Sequence, residues 1–143
     1  MESSNLQINP TRRSAFKRTA ARILKVGPPL LWASFIFYLS SIPSLRSPFG
    51  IWDLYLRKAA HVFVYFVLTL LIAPNFRPGR RQRVYSFLIA GVYAVGDEYH
   101  QSFVPGRVMC FYDMVLNWIG CASAYFLLIF LNRNSRLKIF SGR

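Results

Sequence analysis

Four apolar blocks organise the chain. Residues 26–45 run for twenty positions without a charge, residues 59–76 for eighteen broken only by His61, and residues 114–132 for nineteen. The fourth, residues 84–104, has thirteen uncharged positions before it meets Asp97 and Glu98. A helix needs about 20 residues, with roughly 17 as the lower end, to cross ~30 Å of hydrocarbon. Three blocks meet that length outright, and the fourth meets it if its polar end sits at the interface. A soluble bundle would need a polar stripe at helical spacing, and Phe35-Ile36-Phe37-Tyr38-Leu39 and residues 125–131 have none. The pattern predicts an all-α polytopic membrane protein, a bundle of four transmembrane helices over residues 26–132. A cleaved signal peptide at the first block is disfavoured, because the run is long and Ser40-Ser41-Ile42-Pro43 is a poor cleavage site.

Charge then orients the bundle. The 143 residues carry a net charge of +13 although 54% are hydrophobic and 17% aromatic, a composition that excludes a disordered basic chain. Four spans alternate the flanking segments between two sides. One side collects Arg12, Arg13, Lys17, Arg18, Arg22, Lys25, Arg77, Arg80, Arg81, Arg83, Arg133, Arg136, Lys138 and Arg143. The other has Arg46, Arg57, Lys58 and Arg107, balanced by Asp53, Asp97, Glu98 and Asp113. The positive-inside rule puts both termini in the cytoplasm. Residues 1–25 and 133–143 are then basic cytoplasmic tails. Phe16, Ala20, Ile23 and Leu24 recur at helical spacing among the first tail's cations, which predicts a short interfacial helix. Orientation and attraction to anionic lipid account for these clusters, so no nucleic-acid partner is expected. Cys110 and Cys121 lie too far apart along the chain for a disulfide to be expected.

Ionisable groups in membrane segments usually face the bundle and mark function. Here they gather at the extracytoplasmic helix ends. Lys58, His61 and Tyr65 follow at intervals of three and four and share a helical face, next to Arg57. Asp97, His100 and Gln101 share a face of the third block, with Glu98 about 100° away. The turn Pro105-Gly106-Arg107 follows, then Asp113 and Asn117. Small residues, Gly91 and Ala94 against Gly120 and Ala124, predict a close approach of the third and fourth helices. Each polar residue also has a plain structural reading: Asp113 as a helix cap, Arg57 and Lys58 as snorkelling cations, His61 as a bonded interior histidine, Glu98 with Arg107 as an ion pair. Their convergence on one level favours a site.

The arrangement Lys58-x-x-His61-x-x-x-Tyr65, Asp97-Glu98-x-x-Gln101-x-Phe103-x-Pro105-Gly106-Arg107 and Asp113-x-x-x-Asn117-x-x-Gly120 resembles the VanZ-like family. Ser40-Ser41-Ile42-Pro43 is similar to its first-span pattern, and the likeness covers residues 31–124. Arg57 and Val64 stand where some members carry carboxylates, and Ala124 stands where a second glycine would be. The resemblance implies a small integral membrane protein of the cell envelope. The family takes its name from a protein linked to resistance against teicoplanin, a drug whose target is a cell-wall precursor outside the membrane.

Three functions compete. In the first, Arg57, Lys58 and Arg107 hold the phosphate of an anionic lipid or cell-wall precursor, while Tyr65, His100, Gln101, Asp113 and Asn117 complete the site. In the second, an intramembrane hydrolase or transferase uses Glu98 as general base with His61 or His100, supported by Asp97 and Arg107. No Ser- or Cys-centred nucleophile motif is visible, and the His and acidic residues lack a metal-ligand spacing, so neither cofactor nor metal is expected. In the third, a transporter or channel subunit, the acidic pair would lie at one end instead of the midplane.

Overall fold

The computed structural model describes residues 10–43 and 51–141, with side chains over 16–43, 52 and 55–133. Of the charges assigned to a side, Arg46 and Arg143 lie outside the described residues, as do the side chains of Arg12, Arg13, Asp53, Arg136 and Lys138. Four helices follow in chain order: α1 (Pro10–Ser41), α2 (Ile51–Ile72), α3 (Arg80–Gln101) and α4 (Phe111–Ser141). A short 3-10 turn, Ala73–Asn75, extends α2. No strand occurs among the described residues.

Three helical stretches, Phe16–Ser41, Tyr55–Asn75 and Phe111–Arg133, are long and apolar enough to cross a membrane. Helix α3 falls short on apolarity because cations occupy its first turn and Asp97, Glu98, His100 and Gln101 its last. It nevertheless runs over the same height. Gln82 Nε2 donates to Ala73 O at the end of α2, and Gln101 Nε2 donates to Ser40 Oγ at the end of α1. The nineteen helical steps from Gln82 to Gln101 rise about 28 Å, close to a hydrocarbon thickness. Its outward residues are apolar (Leu88, Ile89, Val92, Val95) while Ser86, Asp97, Glu98 and Gln101 are buried. Polar groups inside and apolar groups outside suit a helix solvated by lipid, where each backbone and side-chain polar group must find a protein partner.

Helix α1 joins the basic segment and the first apolar block without a break at residue 25, so the amphipathic stretch around Phe16 and Ile23 is the first half of the same helix. Pro28 and Pro29 lie inside it. Proline lacks an amide hydrogen, so Pro29 leaves the carbonyl of Lys25 without its helical donor. Asn75 Nδ2 takes that place at 3.1 Å and so ties the turn after α2 to α1. Two further bonds hold α1 to the bundle, Trp32 Nε1 to Val64 O at 2.9 Å and Tyr93 Oη to Ala33 O at 2.7 Å.

The tightest helix contact differs from the one expected. Gly120 of α4 lies against the backbone of α2, where an added Cβ would run into Val62 O. It does not serve the α3–α4 approach. Gly91 of α3 does, by receiving the Trp118 ring of α4: a Cβ there would stand 2.5 Å from the ring. The glycine pair expected to meet across α3 and α4 thus splits between two interfaces, because helical spacing identifies a face but not the neighbour it meets. The two turns at the helix ends use glycine backbone freedom, Gly79 at φ 132° and Gly106 at φ 80°.

Candidate functional site

At the end of the bundle formed by the α1 and α3 C-termini, the buried polar residues sort into two groups. The first begins on α2, where Tyr65 Oη donates to Asp97 Oδ2 at 2.9 Å. Gln101, one turn beyond Asp97, donates from Nε2 to the same oxygen at 3.1 Å. Its Oε1 accepts from Arg107 Nη1 at 3.1 Å. An acceptor-only carboxylate on one side and a donor-only guanidinium on the other leave the Gln101 amide a single orientation. Arg107 then reaches α1, donating from Nε to Ile42 O at 3.1 Å and from Nη2 to Leu39 O at 3.0 Å. The last turn of α1 contains no basic residue of its own. A cation from the α3–α4 turn therefore satisfies its terminal carbonyls and its dipole. Burial, then the nearby Arg57, push the Arg107 pKa down, while Asp97, Glu98 and Asp113 oppose that.

The second group lies toward α4. Asn117 Nδ2 donates to Glu98 Oε1 at 3.2 Å, and Asn117 Oδ1 is 2.9 Å from His61 Nδ1. Since Glu98 accepts, the amide of Asn117 turns its oxygen to His61, and that oxygen requires a hydrogen on Nδ1. In the neutral ring the lone pair is then on Nε2, which stands 4.0 Å from Asp113 Oδ2. Glu98 is 1% exposed and Asn117 fully buried, so this chain is set by packing and not by solvent. Lys58 Nζ completes the group, 3.6 Å from Asp113 Oδ1 and 4.1 Å above the Tyr112 ring.

Between α1, α2 and α3 is a cavity of about 110 Å³. Arg57, His61, Tyr65, Asp97, Gln101 and Arg107 line it, together with Ser40 of α1. One polar atom among these has a distinctive state. Asp97 Oδ1 is buried without a hydrogen-bond partner, while Oδ2 has two. An unpaired buried carboxylate oxygen is costly and calls for a donor from elsewhere.

Six of the eleven residues read from the sequence thus meet at the cavity, and Lys58, Glu98, His100, Asp113 and Asn117 lie off it. The Glu98–Arg107 ion pair is not formed; Arg107 is bonded to Gln101 and to α1 instead. Asp113 does not precede α4 as a cap but sits inside its first turn and pairs with Lys58. His100 stacks on Phe37 with ring centroids 4.4 Å apart, and its Nε2 is 3.1 Å from Ser41 Oγ. Ser41 gives its hydrogen to Phe37 O at 2.7 Å, so the histidine donates to the hydroxyl and does not activate it. The sequence reading missed Ser40 and Ser41 as partners; the signal was the serine pair at the end of the first block. It also missed a polar layer at the opposite end, where Asn132 Nδ2 donates to Gln82 Oε1 at 3.2 Å. Cys110 and Cys121 are both free thiols. Among the described residues no group of three His, Cys, Asp or Glu side chains is placed to hold a metal ion.

A small helical membrane bundle with a polar cavity at one end is the class that this geometry defines. The profile of the VanZ/LLP1 family matches residues 12–132, and the chain belongs to that family. It is similar to an uncharacterized protein of Schizosaccharomyces pombe, 34% identical over 104 residues, which covers 71% of this chain and 60% of that relative. No solved structure matches the chain.

Proposed function

We propose that the protein binds the headgroup of a cell-envelope lipid, or of a lipid-linked cell-wall intermediate, at the polar end of its bundle on the extracytoplasmic side. The observation that carries this reading is the unpartnered Asp97 Oδ1 beside two guanidinium groups in one small cavity. Among the described residues, three of the five N–H groups of Arg107 have protein acceptors. Arg57 and Arg107 suit anionic oxygens, and Asp97 Oδ1 suits a hydroxyl or an ammonium. The complementary ligand therefore carries a phosphate with a hydrogen-bond donor close by, as in a phosphodiester headgroup ending in an amine or hydroxyl. Lys58 belongs to the Asp113 pair and forms no part of this reading, and neither does glycopeptide resistance.

Lipid extracted with the purified protein tests it. Wild type should retain such a headgroup, and Asp97→Asn and Arg57→Ala should each lower its amount by about tenfold, the scale of one charge-assisted bond. Equal lipid in all three, with the variants still monodisperse, would remove the idea. A second reading, hydrolysis or transfer on the same lipid, rests on the His61 tautomer. Its Nε2 lone pair would take a proton from water or a hydroxyl while Asn117 and Glu98 stabilise the ring. In that case His61→Gln should accumulate a chemically distinct lipid instead of losing it.

A further inference from the structure

The opposite end of the bundle has two spaces of different chemistry from the polar cavity. An apolar groove of about 270 Å³ opens between α1, α2 and α3, walled by Val26, Leu30 and Ala33 on one side and Leu68, Ile72 and Ile89 on the other. A second space of about 420 Å³ lies beyond the turn after α2, with Lys25, Arg77 and Gln82 in its wall. Asn75 and Phe76 line both. The two spaces therefore adjoin at Asn75 and Phe76, and the Asn75 bond to the Lys25 carbonyl pins that junction to α1.

We infer that this surface holds one anionic diacyl phospholipid, with an acyl chain in the groove and the phosphate between Lys25 and Arg77. Three features select that occupant. The groove runs from Val26 to Ala33, seven residues or about 10 Å along α1, and its exposed rim of Val26, Leu30 and Ile89 is apolar, as an acyl chain requires. The basic space adjoins that groove where Asn75 and Phe76 line both. Residues 73–83 contain Arg77, Arg80, Arg81 and Arg83 and no carboxylate. An ammonium-bearing headgroup thus finds no counter-charge from this segment, unlike at the Asp97 end. A soluble phosphate would match the cations but leave the groove unfilled. The site is independent of the headgroup reading given above, since it shares no residue with that cavity.

The test uses the full chain in phosphatidylcholine nanodiscs doped with phosphatidylglycerol, with bound lipid counted by native mass spectrometry after release. Wild type should hold one phosphatidylglycerol in preference to phosphatidylcholine. Removing both site cations in Lys25→Ala/Arg77→Ala should lower that preference by about tenfold. The charge-matched control Arg22→Ala/Arg80→Ala, at exposed positions off the site, should leave it unchanged. Filling the groove with Ala33→Phe should also release the lipid while all cations remain. Equal loss from the control would reduce the effect to general surface attraction and overturn the proposal. So would indifference of wild type to the headgroup, or protection by glycerol 3-phosphate, which has the charge without the chains.

Discussion

Gln101 is the residue on which the most interactions depend at the polar end. Its amide nitrogen serves Asp97 and Ser40, and its oxygen serves Arg107, which in turn closes α1. Leucine in its place would fill similar space but strip a donor from a buried carboxylate and an acceptor from a partly buried cation. Each lost partner costs of the order of 1–3 kcal/mol, so Gln101→Leu should destabilise by about 2–4 kcal/mol. Ser40→Ala removes one acceptor of a nitrogen that keeps its bond to Asp97, and should cost about 1 kcal/mol or less. Thermal unfolding midpoints in detergent would rank the two, and a larger loss for Ser40→Ala would break the assigned order of bonds. That Asp97 and Gln101 share a face, and His61 and Tyr65 another, was legible in the sequence from their one-turn spacing, and six of the eleven residues named there line the cavity. The site's partition was not legible. Asp97 and Glu98 are adjacent in sequence yet serve different groups, because about 100° of helical rotation aims one at α2 and the other at α4. Nor do spacings within one helix reveal that an arginine after α3 closes the end of α1.

Helix contacts obey the same limit. The apolar blocks announced α1, α2 and α4 by length, and α3 by its length with polar ends, since block length measures the solvent a helix needs and not its partners. Which helix a glycine faces depends on tertiary rotation, and that is where Gly120 departed from expectation. The departure yields a paired test. At Gly120 a methyl group would collide with backbone of α2, which cannot rotate away as a side chain can. Gly120→Ala should therefore separate α2 from α4 and cost about 1–3 kcal/mol. Gly96 of α3 is also helical, but nothing lies within 4 Å of where its Cβ would be. Gly96→Ala should be neutral or stabilise by up to about 1 kcal/mol, from helix propensity alone. The same unfolding measurement separates them, and equal effects would show that close approach is not what Gly120 provides.

Across the whole molecule, charge and free thiols together make sidedness measurable. If each of the four helices crosses once, fourteen of the eighteen basic residues fall to one side, and the remaining four are matched by four acidic residues on the other. An asymmetry of that size, concentrated in short segments next to the helix ends, is the arrangement that retains a flank in the cytoplasm. We propose on that ground that the polar cavity and the turn holding Cys110 face outward, and that the first turn of α3, which holds Arg81, faces inward. Cys121 is fully buried and stays silent to aqueous reagents, while Cys110 is partly exposed. A membrane-impermeant maleimide added to intact cells should label the wild-type chain, and Cys110→Ser should abolish the signal. Placing a thiol at the exposed Arg81 in that background, Cys110→Ser/Arg81→Cys, should restore labelling only after the membrane is opened. The substitution leaves thirteen cations on that flank, too small a change to invert the chain. If Arg81→Cys reacts in intact cells and Cys110 does not, the bundle is inverted, and the Asp97 cavity then meets the cytoplasmic leaflet, where a cell-wall intermediate would be met before its export and not after.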